Sequence, residues 1–370
     1  MDRVGVELTT SAAFSNATLE YVYSTLISHQ QRTCIIMVWE KPSQKSRKGK
    51  PSRIAVSYGV GFAGLFSIII LILLVAPIAA MGAPPQPPGR LVDVGGDGVG
   101  INMHIYCTGE GNPTVVLDAG ANGGTMSWAK VQEQVSNHTR VCSYDRAGMS
   151  WSEPGPKPRT FMRIADELHA LLQAAGEEGP YVLVGHSVGA HTIRFYVQEY
   201  PTDVAGVVLV DPAHEKILST ELIPVIQQLQ RTYIGYAQGG FWRYVLNPGF
   251  IRGVEGPDVP LEIINNLEIV YSPKSLHTAA DELAAMYETV RALNETNIEG
   301  AWGDKPAVVL SADNEIAQMT GALEHHNELA SLSTRGEQVL VPGGHNIHYE
   351  HPEVVAEAIV NIVNTVRQGM

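Results

Sequence analysis

Apolar positions along this chain follow three patterns. From Ile54 to Met81, "IAVSYGVGFAGLFSIIILILLVAPIAAM", they form one run with no charged residue. At about 1.5 Å rise per residue, roughly 20 apolar residues cross a bilayer, so this run predicts one membrane-spanning helix. After Arg90 the pattern changes to short β-branched runs that alternate with helical stretches. The runs predict strands at Leu91–Val94, Ile101–Tyr106, Thr114–Leu117, Arg140–Tyr144, Tyr181–Val184, Val204–Val210, Ala307–Leu310 and Gln338–Val341. Between them, "TFMRIADELHALLQAAG" (160–176) repeats apolar residues every three or four positions and ends on glycine. "PEVVAEAIVNIVNTVRQ" (352–368) opens with proline in its first turn and predicts a closing helix. Such alternation implies an α/β domain: a mostly parallel sheet with helices on both faces.

The third pattern breaks that rhythm. Between about 213 and 304 the sequence is helical and rich in aromatic residues, with no clear strand. It is too long for a connection and predicts an inserted helical cap. Tyr233, Tyr236, Phe241, Trp242 and Tyr244 either line a substrate pocket there or form the cap's own core. The resulting organisation is a tail (1–53), a transmembrane segment (54–81), a Pro-rich linker (82–89) and one globular domain (90–370).

Charge gives the span a direction. Lys41, Lys45, Arg47, Lys48, Lys50 and Arg53 precede it, and an uncharged Pro-rich stretch follows. The positive-inside rule then puts the N-terminus in the cytosol and the globular domain in a lumen or outside the cell. The run begins too late and is too long for a cleaved signal peptide, so it reads as a signal anchor of a single-pass membrane protein. The tail holds eight basic and four acidic residues; from Arg90 onward there are 17 basic and 34 acidic, a balance of −17. A domain that acidic is a poor nucleic-acid binder. In an oxidising lumen Cys107 and Cys142 are disulfide candidates, with two buried free thiols as the alternative. Of the sequons at Asn16, Asn137 and Asn294, the last two would be lumenal and could make the chain a glycoprotein.

The chemistry concentrates in "YVLVGHSVGA" (181–190). A strand runs into Gly185-His186-Ser187-Val188-Gly189, and a helical pattern follows. A tight strand-to-helix turn would lift Ser187 clear of the sheet, and side chains at either flanking glycine would clash. The new helix would aim its N-terminus and the Val188 amide at charge developing nearby.

This stretch resembles the nucleophile turn of the α/β-hydrolase family, in its serine-nucleophile branch with a helical cap. The resemblance extends over most of 90–370. "VVLDAGANGG" (115–124) is similar to the family's oxyanion loop, "YDRAGMSWSEPG" (144–155) to its turn after the fourth strand, and "VPGGHNIHYEHPEVV" (341–355) to its histidine loop and last helix. It implies an eight-stranded α/β-hydrolase sheet, with Ala121 and Val188 supplying oxyanion amides. It also makes the second and fourth strands neighbours, which favours a Cys107–Cys142 bridge.

Serine needs a base to take its proton, and His345 stands at the matching place. The acid that orients that imidazole is open: Asp211 ends one strand, and Glu315 or Asp313 follow a later one. His186 and His191 read as packing or pocket-lining residues. His325, His326, His348 and His351 match no metal-ligand spacing, so neither a metal nor a cofactor is expected. These residues point to a serine hydrolase of carboxylesterase or lipase type, cleaving a small-molecule or lipid-like ester through an acyl-enzyme. The alternatives are another acyl or C–C bond hydrolase such as an aminopeptidase, or a non-catalytic ligand-binding module on the same scaffold.

Overall fold

In this computed structural model, residues 86–369 are described, apart from 96–99, 217–227, 229–230, 233, 236–247 and 297. The apolar run 54–81, the basic tail and the five aromatic cap residues named above lie outside the described residues. Among the described residues no helix is long and apolar enough to cross a membrane.

Eight strands form one sheet in the order β1-β2-β4-β3-β5-β6-β7-β8. They are β1 (Arg90–Asp93), β2 (Asn102–Thr108), β3 (Val115–Asp118), β4 (Val141–Tyr144), β5 (Tyr181–His186), β6 (Val204–Val210), β7 (Ala307–Ala312) and β8 (Gly336–Val341). Pairing is antiparallel at β1–β2 and β2–β4 and parallel across every other pair. The mostly parallel eight-stranded sheet expected from the alternating pattern is present. Strands β5 and β7 each run two residues past their β-branched stretch, because ladder pairing carries them to His186 and Ala312.

Period-two alternation explains why these runs are apolar throughout. Leu183, Val207, Leu209 and Val309 point to one face, where the helices Phe161–Ala175 and Gly189–Glu199 pack. Val182, Val184, Val208, Val210 and Leu310 point to the other, against Ala129–Val135 and Pro352–Gly369. A parallel strand covered on both faces has no wet side, so it needs no polar alternation. The helix Phe161–Ala175 is stopped at both ends: the Thr160 side chain accepts from the Arg163 amide, and Gly176 takes φ +74°.

Cys107 and Cys142 stand directly opposite each other in β2 and β4 and are joined by a disulfide. Asn137 and Asn294 are both exposed.

The insertion between β6 and β7 is helical where it is described: Pro248–Glu255, Leu261–Asn265, Leu267–Val270, Pro273–Ala284 and Met286–Thr296. It has an apolar contact of its own, in which Ile251, Val259, Ile263, Val270 and Leu276 meet Met126 and Tyr349 from the sheet's loops. Lys274 adds donors to the carbonyls of Ser150 (2.7 Å) and Ser152 (2.6 Å). The cap is therefore seated over the carboxyl ends of the strands, where a parallel α/β sheet carries its chemistry.

Candidate active site

Ser187 follows β5 directly and has φ +52°, in the left-handed region that non-glycine residues rarely enter. Such backbone persists only where its surroundings over-determine it. Here they do. The Ser187 amide donates to the Val210 carbonyl at 3.1 Å, and its own carbonyl accepts from Ala190 (3.1 Å) and Ala213 (3.0 Å). The glycines on either side are required by close approach. A Cβ on Gly185 would lie 2.9 Å from the Ala190 backbone, and one on Gly189 would lie 2.7 Å from the Ala119 carbonyl oxygen.

His345 sits in the loop after β8. Its Nε2 lies 2.9 Å from Ser187 Oγ and its Nδ1 lies 2.6 Å from Asp211 Oδ2. Asp211 follows β6 at φ +40°, 3% exposed, and its other carboxylate oxygen accepts from the Ala312 amide at 2.9 Å. With the carboxylate on Nδ1, that nitrogen carries the proton and Nε2 is left bare toward the serine. Burial alone would disfavour the imidazolium, but the hydrogen bond and charge of Asp211 outweigh it, raising the His345 pKa above its ordinary 6.5. The ring keeps 43% of its surface exposed, so water screens part of that coupling.

Of the three acids open in the sequence, Asp211 is bonded to His345. Asp313 instead accepts from the Gly343 amide at 3.0 Å. Glu315, in the helix Asp313–Gln318, reaches His345 only through its charge. Ala121 and Val188 line one narrow cleft together with Asn122, Phe161, Glu282 and Met286. Val188 immediately precedes the helix Gly189–Glu199, at its N-terminus.

Of the two histidines that flank Ser187, both read from the sequence as packing or pocket-lining residues, His186 joins this arrangement. His186 Nε2 lies 2.9 Å from the His345 carbonyl, and its ring meets those of His345 and His348 at 4.8 and 4.1 Å. Burial, followed by the proximity of His345, pushes its pKa down to about 3, so it stays neutral. His191 packs edge-on against Phe161 at 5.5 Å. The only local signal for the His186 contact was its place beside Ser187; its partner is 159 residues away.

Among the described residues His214, His325 and Glu328 bring three ligand-type atoms within 4.8 Å of one another. A cation already occupies that carboxylate: Lys216 Nζ lies 2.6 Å from both Glu328 oxygens. The Lys216 amide also donates to His214 Nδ1 at 3.1 Å, which puts the imidazole proton on Nε2, the atom facing Glu328. His326 is engaged elsewhere, with Ser311 and the Pro212 carbonyl.

The sequence model of the alpha/beta hydrolase family matches residues 115–358. YqjL of Bacillus subtilis (strain 168) is 23% identical over 258 residues, which cover 69% of this chain and 85% of YqjL. The chain spans 16% and 51% of the length of two others among the first curated relatives it matches. A thermophilic esterase of Thermogutta terrifontis superposes with a TM-score of 0.57 at 22% identity, covering 76% of this chain and 99% of the esterase. The haloalkane dehalogenase DatA of Agrobacterium tumefaciens C58 gives 0.55 at 16% identity, covering 75% and 97%. At such identities the structural likeness speaks to the fold.

Proposed function

The chain belongs to the alpha/beta hydrolase family, and we propose that it is a serine hydrolase cleaving a small-molecule ester or similar acyl bond. One observation carries this reading: His345 bridges Ser187 and Asp211 at 2.9 and 2.6 Å. A carboxylate at position 187 would favour alkylation chemistry on epoxides or haloalkanes; the hydroxyl favours acyl transfer.

Ser187 Oγ attacks the substrate carbonyl carbon while its proton passes to His345 Nε2. The imidazolium is stabilised by Asp211, itself held by the Ala312 amide. Negative charge on the carbonyl oxygen is taken up by the amides of Val188 and Ala121, each worth several kcal/mol in comparable sites. His345 returns the proton to the leaving alkoxide, which departs and leaves Ser187 acylated. Water then gives a proton to His345 as it attacks the acyl carbon; the acyl–Oγ bond breaks, Ser187 Oγ takes that proton back from His345, and the acid is released.

The experiment is labelling with a fluorophosphonate, together with nitrophenyl acetate hydrolysis. One label per chain and turnover, both absent in Ser187→Ala, are expected; a folded wild type that takes no label sinks the reading. A lipid-like acyl group suits a chain anchored through the apolar run 54–81. Faster turnover of octanoyl than acetyl esters is expected, and the reverse order removes that part.

The same reading has residues 54–81 anchor the chain, with the catalytic domain lumenal or extracellular. The disulfide and the exposed sequons at Asn137 and Asn294 suit such a compartment. Glycosidase treatment of the expressed chain should increase its mobility; an unchanged band counts against this topology.

A further inference from the structure

Arg146 lies outside the Ser187–His345–Asp211 line, yet its buried guanidinium makes five hydrogen bonds. Nη1 donates to the Asp118 carboxylate at 2.9 Å and to the Ala119 carbonyl at 2.6 Å. Nη2 donates to the Gly120 carbonyl at 2.9 Å. Nε and Nη2 hold the two oxygens of Glu282, each at 3.0 Å. Asp118 ends β3, Ala119 and Gly120 begin the loop after it, and Glu282 comes from the cap helix Pro273–Ala284. One side chain thus ties together the oxyanion loop, the turn after β4 and the cap.

A trans peptide is planar, so its carbonyl and its N–H point in opposite directions. The Gly120 carbonyl and the Ala121 amide belong to one such peptide. Fixing that carbonyl on Arg146 therefore fixes where the Ala121 N–H points, away from the guanidinium. The Gly123 amide, at 3.1 Å from the same oxygen, reinforces the setting. A guanidinium suits the task because its planar fork can satisfy two carbonyls and two carboxylates at once; a single ammonium cannot. With Glu282 withdrawn, Arg146 would lose two of these five hydrogen bonds, Nε would lose its partner among them, and Asp118 with the Ala119 and Gly120 carbonyls would hold the fork from one side only.

We propose that Arg146 and Glu282 are positioning residues that make the Ala121 oxyanion donor depend on the seated cap. Docking of the helix Pro273–Ala284 sets Glu282, Glu282 sets the fork of Arg146, and the fork sets the Gly120–Ala121 peptide. Cap closure and oxyanion stabilisation are then one event. This rests on the serine-hydrolase reading.

The experiment uses Glu282→Gln and Arg146→Lys, with active sites counted by fluorophosphonate titration. Turnover of nitrophenyl acetate is then expressed per titrated site. A misaimed donor should lower kcat per site by roughly tenfold to a hundredfold with little change in KM, more in Arg146→Lys than in Glu282→Gln. The acid limb of the pH–rate profile should stay where it is, because the His345–Asp211 pair is untouched. Wild-type kcat per site in the variants, with only a lower melting temperature or fewer active sites, overturns the proposal and leaves a structural anchor. If Arg146→Lys does not fold, Glu282→Gln decides alone, since it keeps size and shape. A Ser187→Ala chain that still hydrolyses the ester defeats the underlying reading instead.

Discussion

His186 and His345 are joined through an imidazole on one side and a main-chain carbonyl on the other: His186 Nε2 donates to the His345 oxygen at 2.9 Å. A carbonyl only accepts, so the His186 proton sits on Nε2. His186, beside Ser187, thus holds the loop that carries His345. His186→Phe keeps an aromatic ring but loses the donor. It should lower kcat by about tenfold or more, since small displacements of a reacting group are costly. His186→Gln, which keeps a donor, should lose less. Equal, wild-type kcat in both would show that His186 only fills space.

Asp211 should matter far more than the two acids after β7. Asp211→Asn should reduce kcat by roughly 10³- to 10⁴-fold, because the amide favours the wrong imidazole tautomer. Glu315→Gln should keep the plateau rate, since Glu315 acts on His345 only at a distance. Steady-state kinetics of the two variants side by side decide the assignment; comparable losses would contradict it.

In the proposed mechanism His345 must be neutral to accept the Ser187 proton. Its pKa in the folded chain is raised above 6.5, so kcat/KM should fall with decreasing pH through an inflection above that value. Glu315→Gln should move the inflection slightly down by removing a nearby negative charge. An inflection below 6.5 in the wild-type enzyme would mean that desolvation, not Asp211, dominates at His345.

Arg194, on the helix Gly189–Glu199, and Glu215, in the segment that follows Asp211, form a buried pair at 2.6 and 3.0 Å. Burial works against the Glu215 carboxylate, but Arg194 outweighs it and holds its pKa down to about 2, against an ordinary 4.5. Its folded pKa is the lower one, so this stabilisation is present above pH 4.5 and is lost as pH falls toward 2. His186 and His191, both held near 3 chiefly by burial, add acid lability that begins lower than pH 6.5. Glu215→Gln should cost about 3–5 kcal/mol at neutral pH, by leaving Arg194 uncompensated. It should also flatten the loss of stability between pH 4.5 and 2. Urea titrations across that range measure both.

The Cys107–Cys142 bridge closes a sequence separation of 35 residues. Replacing both cysteines with alanine should cost about 3–4 kcal/mol, chiefly by freeing the unfolded chain. Non-reducing peptide mapping of the wild type should recover one cross-linked pair, and two free thiols there would rule the bridge out.

Much of the fold was legible because its signals are local. A parallel strand buried on both faces must be apolar throughout, and a covered helix must repeat its apolar face every three or four residues. Both constraints leave their mark within ten to twenty positions. The turn at Ser187 is likewise local: the glycines at 185 and 189 answer to backbone atoms within five residues or to the adjacent β3 loop. The contacts of Arg146 were not legible. Its partner Glu282 lies 136 positions on, in a cap whose helical pattern says nothing about which side chain faces down.

The order of the elements, the strand-to-helix turn that carries Ser187 and the place of His345 after the last strand were determined by the sequence itself, since each follows from spacing and backbone sterics over a few residues. Which acid meets His345 was decided only by the tertiary structure. The parallel pairing of β6 with β7 brings the Ala312 amide to the Asp211 carboxylate, while the Gly343 amide draws Asp313 elsewhere. A hydrogen bond requires atoms within about 3 Å, and spacing along a chain does not measure distance between strands.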